Sequence, residues 1–164
     1  MANRKKFYVV VGNPAFTIAS LATSSSLVAG RESGSVDNST NLYVDVAVRV
    51  RTRAGSSPSA GTIELWGIPS FDGTNWPNVF DGTDSAETVT SRDILSGSGR
   101  LLASTPTDTT SSRDYELNCP SLADVFGSLP LMWSYFITHN TGVNLDSTGA
   151  NHLMYQVATY DTVI

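Results

Sequence analysis

The stretch Leu42–Arg53, LYVDVAVRVRTR, decides the fold class. Leu42, Val44, Val46, Val48 and Val50 fall on one parity, and Tyr43, Asp45, Ala47, Arg49, Arg51 and Arg53 on the other. Side chains of an extended chain alternate between two faces, so this spacing sets an apolar, β-branched row against a polar, basic one. A helix would scatter both sets around its circumference. The segment reads as a half-buried strand whose Leu42-to-Val50 face lies in the core.

The same reading extends outward. In Thr62–Ile68, Ile63 and Leu65 oppose Glu64 and Trp66, and in Arg113–Cys119, Tyr115, Leu117 and Cys119 oppose Asp114, Glu116 and Asn118. Leu131–Thr138 is apolar on both parities, as a central strand is, and Met154–Tyr160 reads as a further strand. Phe7–Val11, Phe16–Ala22 and Arg100–Ser104 are weaker strand candidates. Turn signals separate these runs, among them Gly12-Asn13-Pro14, Phe71-Asp72-Gly73, Asp81-Gly82 and Asn140–Gly142. One short helix is expected over Ser121–Phe126, capped by Ser121 and closed by Gly127.

Composition agrees. Of 164 residues, 22 are Ser and 18 are Thr, while the good helix formers Lys and Glu number only two and four. Charged residues make up 15%, against about 25% in an ordinary domain. Helical bundles and coiled coils are excluded. The expectation is an all-β protein, an antiparallel β-sandwich of jelly-roll-like form with one short helix. Residues 1–15 are expected as an N-terminal arm and residues 16–164 as a single domain.

The formal net charge of −5 argues against nucleic acid as a partner. No apolar run approaches the roughly 18 residues of a membrane span, and Phe7–Val11 is too short for a signal-peptide core, so no membrane partner and synthesis in a cytoplasm are expected. Cys119 is the single cysteine, which excludes an intramolecular disulfide, and with only His139 and His152 beside it no zinc spacing arises. No cofactor or metal is expected. The Asp81–Glu87 loop offers carboxylate oxygens for a cation but lacks the calcium-loop pattern, and reads as a solvated loop. No G-x-S-x-G, phosphate-loop or G-x-G-x-x-G pattern occurs, so an enzyme is not expected. A glycoside hydrolase would need two carboxylates about 5–9.5 Å apart, for which Glu64 and Glu116 are the strand-borne candidates.

Arg49, Arg51 and Arg53 form a positive stripe, about 6.5–7 Å between neighbours. It reads either as charge that discourages edge-to-edge pairing or as a surface for an acidic partner. Arg4, Lys5 and Lys6 carry the same two readings. Trp66 shares a face with Glu64, so it is either exposed or covered by a loop or a partner. These seven residues are the candidate partner interface.

Three segments, Val28–Gly55, Gly61–Gly73 and Ser121–Gly142, carry a resemblance. Their R-E-S-x-x-V-D-N-S-T stretch before an alternating strand, and F-G-x-L-P before a buried one, are similar to small structural proteins of tailed-bacteriophage virions. The resemblance implies a non-enzymatic β-sandwich that decorates or cements the head. Its partner would be the major capsid protein, its place the capsid surface, and its state a homotrimer or other homo-oligomer. The alternative it implies is a tail, collar or fibre component that binds another virion protein or a host glycan.

Overall fold

The computed structural model describes residues 4–163, with the side chains of Arg4 and Val163 outside the description. Ten strands follow one another: β1 (Arg4–Val10), β2 (Ala29–Glu32), β3 (Val36–Asp37), β4 (Asp45–Arg53), β5 (Gly61–Ser70), β6 (Ser85–Thr88), β7 (Arg100–Thr107), β8 (Asp114–Cys119), β9 (Met132–His139) and β10 (Leu153–Val163). The expected helix forms as α2 (Leu122–Phe126), with Ser121 accepting from the Asp124 amide and Gly127 in the left-handed conformation. A second helix, α1 (Arg92–Ser98), is capped by Ser91.

The first sheet runs β1-β10-β4-β8 and the second β6-β2-β9-β5-β7, with β3 also on β9. The strand pairs are antiparallel. With β3 and β6 set aside, the sheets interleave as 1-10-4-8 and 2-9-5-7, the two interlocked Greek keys of a jelly roll. The expected β-sandwich is therefore present.

Its core lies between the sheets. Val46, Val48, Val50 and Leu117 of the first meet Ile63, Leu65, Trp133, Tyr135 and Ile137 of the second. A buried polar chain crosses this core: the Trp133 indole N–H donates to Tyr135 Oη at 2.9 Å, and Tyr135 Oη donates to Gln156 Oε1 at 2.5 Å. The second sheet is covered on its other side too, where Trp66, Ile68 and Phe136 pack with Phe80 of the β5–β6 connection, Val89 just after β6, and Leu95 of α1. Burial on both faces explains why β9 is apolar at both parities. Among the described residues, no such cover lies on the outer face of the first sheet.

Four expectations are corrected. The strand starts at Asp45, and Leu42 and Val44 are exposed rather than core. The side chain of Asn38 closes a turn there, accepting from the Tyr43 amide and donating to its carbonyl, and this holds Leu42 at a φ of +53°. Arg4–Val10 is no detached arm: it pairs along its length with β10. Phe16–Ala22 forms turns instead of a strand, with Ile18 pinned in the core. Strands β2, β3 and β6 and helix α1 were not expected.

Candidate functional site

The bare face of the first sheet is built from the outward parity of three strands. Register places Ala158 opposite both Val9 and Val46, inside, and Val157 opposite both Val10 and Ala47, outside. Tyr8, Val10, Tyr155 and Val157 thus share the outer face, at 76%, 80%, 53% and 39% exposure. Beyond Ala47 the face deepens into a shallow groove between Tyr155, Pro120 and Asn118. Contiguous apolar surface of this kind marks an interaction site more often than scattered exposed residues do.

The face ends in an open edge. No strand among the described residues pairs with the outer side of β1, and Phe7, Tyr8, Val9 and Val10 run along it without the proline or bulge that commonly protects edges. Past Asp45, β4 no longer accompanies β10, so Arg4–Phe7 and Tyr160–Val163 continue as a two-stranded ribbon. Phe7 and Tyr160 stack there, ring centroids 5.6 Å apart. A two-stranded ribbon alone is marginal in water, which makes this end receptive to a third strand or a supporting surface. Lys5 and Lys6 lie on the ribbon, both exposed, and Arg4 opens it.

The structure brings the arginine stripe onto the same face but gives most of its charge to β8. Arg49 donates to both oxygens of Glu116, at 2.6 and 2.7 Å, and Arg53 to both of Asp114, at 2.6 and 3.2 Å. These guanidinium bonds hold both carboxyls below the usual carboxylate range. Arg51, between them, has its Nε buried without a hydrogen-bond partner. Three cations therefore face two anions, and the stripe is close to neutral. Arg49 also lies over the Tyr155 ring, 6.0 Å from its centroid.

Trp66 lies elsewhere. It is 4% exposed on the outer side of the second sheet, its indole N–H donating to Glu64 Oε2 at 2.9 Å and Arg92 standing 5.1 Å over its ring. Of the expected alternatives, cover by the chain itself is the one that holds. Arg92 also grips both Glu64 oxygens, so this carboxylate is occupied. Glu64 and Glu116 stand on opposite outer sides of the sandwich and cannot flank one glycosidic bond.

Other titratable groups have local partners. Burial pushes the Cys119 thiol up. His139 is buried, its Nε2–H donating to the Leu21 carbonyl at 3.0 Å, and burial pushes its imidazole below the ordinary value. His152 donates from Nε2 to the Asp146 carbonyl and accepts at Nδ1 from Thr52. In the Asp81–Glu87 loop, Asp84 binds Arg31 and Thr17, Asp81 binds Thr83, and Glu87 accepts from Ser85, so the carboxylates do not converge. Among the described residues no three His, Cys, Asp or Glu side chains cluster as a metal site.

Sequence reasoning missed Tyr8, Val10, Tyr155 and Val157. The signal was present in the apolar run of β1, but only the register shows that it overhangs the core. In comparison with known proteins, the chain matches no family model and no curated protein.

Proposed function

We propose that this chain is a non-enzymatic virion structural protein that decorates and cements the head of a tailed bacteriophage. In this reading it sits on the capsid surface, engages the major capsid protein, and acts as a homotrimer or other homo-oligomer. The observation that carries the reading is the bare apolar face of the first sheet, continuous with the open β1 edge and its Lys5–Lys6 ribbon. Support also comes from the resemblance of three segments to virion proteins. An open edge accepts a strand from a partner through main-chain hydrogen bonds, and the flanking apolar side chains add burial. A modest patch, about 800 Å² per partner, becomes a strong attachment when an oligomer engages several sites at once.

The test is to prepare phage particles lacking this protein and heat them. Particles without it should release DNA at a lower temperature, and purified protein should restore resistance. Copy number per particle should be in the hundreds. Equal heat resistance with and without the protein, or a copy number of a tail part, would move it to the tail or collar.

A further inference from the structure

Where α1 and α2 approach the ends of β5 and β7, a cavity of about 340 Å³ opens to solvent. That volume lies within the range of small-ligand sites. Its walls are Phe71, Trp76 and Phe126, flanked by Pro69, with Asn75, Ser98 and Arg100 as polar groups. None of these residues belongs to the first sheet, so this surface is separate from the apolar face described above.

The cavity is preformed. A Cβ on Gly67 would lie 2.7 Å from the Phe126 ring, and one on Gly82, held at a φ of +75°, 2.5 Å from the Trp76 ring. Two of the three walls thus rest on backbone where any side chain would displace them. The third ring, Phe71, stays 77% exposed at the rim.

Arg100 is the second observation. Five described arginines pair with carboxylates, and Arg100 is not among them. Its Nη1 donates to the Gly99 carbonyl at 3.0 Å, which orients the guanidinium without neutralising it. Asn75 gives its Nδ2 to Asp72, leaving its side-chain oxygen to accept. The Asp72 carboxylate is itself occupied, receiving that amide and the Thr74 and Asn75 backbone N–H groups.

We infer that this cavity binds a carboxylated sugar ring, the acidic residue of a glycan. A pyranose has a C–H face that stacks on aromatic walls, hydroxyls that donate to an acceptor such as Asn75, and here a carboxylate that pairs with Arg100. An uncharged ligand makes no use of the Arg100 charge, so the carboxylate is what sets the expected ligand apart from a neutral sugar. A proline-rich peptide needs an extended aromatic groove rather than a compact recess. The inference does not depend on the attachment reading, because binding is measured on the isolated protein.

The experiment uses the intact protein with glucuronate, glucose and a proline-rich peptide as probes. Binding is read by saturation-transfer NMR and by fluorescence of Trp76, since Trp66 and Trp133 are buried. Glucuronate should bind and perturb the fluorescence, and glucose should bind at least about tenfold more weakly. Arg100→Gln should weaken glucuronate about tenfold and leave glucose unchanged, whereas Phe71→Ala should weaken both. Both side chains are exposed, so an unchanged melting temperature verifies the fold of each variant. No saturation transfer to glucuronate at millimolar concentration, equal glucuronate affinity in Arg100→Gln, or preference for the peptide would overturn the inference.

Discussion

Arg49 of β4 holds Glu116 of β8 in a two-point ion pair, Nε to Oε2 at 2.6 Å and Nη2 to Oε1 at 2.7 Å. The pair converts a row that looks like a positive stripe in sequence into a nearly neutral band beside an apolar face. Half-exposed pairs gain little net stability in water. Glu116→Gln should therefore move the melting temperature by no more than about 3 °C by calorimetry. A fall several times larger would mean that the pair organises the β4–β8 edge.

Attachment should depend on the apolar side chains beyond that band. Tyr8 and Val10 are 76% and 80% exposed, so the double change Tyr8→Asp, Val10→Asp should leave the isolated protein's melting temperature almost unaltered. The same variant should no longer bind particles that lack the protein, measured by co-sedimentation. Because Lys5 and Lys6 lie beside this patch, wild-type binding should weaken as salt rises. Full binding by the variant would place the docking surface elsewhere.

Two residues of one parity should behave oppositely. Val46 is fully buried, and Val46→Asp strands a charge between the sheets, costing several kcal/mol or preventing folding. Leu42 is 70% exposed with a φ of +53°, a conformation that asparagine tolerates better than leucine. Leu42→Asn should leave stability unchanged or slightly raised in urea unfolding.

The bond from Tyr135 to Gln156 ties the sheets together across the core. Tyr135→Phe removes it and leaves both Gln156 Oε1 and the Trp133 N–H without this partner. The expected loss is about 1–3 kcal/mol in urea unfolding, with the fold retained. No loss would mean that water or a shifted Gln156 replaces the hydroxyl.

Acid should act first through His139. Burial holds its pKa below the ordinary 6.5. Above that value the imidazole is neutral in both states. Below it the unfolded chain takes up a proton that the folded chain does not, so stability falls as the pH drops. Glu32 works in the other direction: burial raises its pKa above 4.5, so protonation in the folded chain adds stability as the pH falls. His139→Gln should therefore show a smaller drop in melting temperature between about pH 7 and pH 5 than wild type. An identical drop would assign the acid response to other groups.

Alternation alone was enough to identify β4, β5 and β8, three of the strands that carry the core, whereas β9 was marked by an apolar run on both parities. The parity of Val46, Val48 and Val50, and of Tyr115, Leu117 and Cys119, follows from the two-residue repeat of an extended chain, and each of these residues is buried. The cap and stop of α2 were legible for the same reason, being local hydrogen bonding and the backbone freedom of Gly127. Strand β2, Ala29–Glu32, was not legible, since its buried side chain is a carboxylate satisfied by Ser134 and by the Asp81 and Gly82 amides, far away in sequence. Nor did pattern show that Arg49 and Arg53 would meet Glu116 and Asp114, because strand neighbours are set by chain topology. The exposure of Tyr8 and Val10 and the meeting of Phe71, Trp76, Phe126 and Arg100 are likewise tertiary facts. Periodicity tells which side of a strand a residue is on, but only the packed layers decide whether anything covers that side.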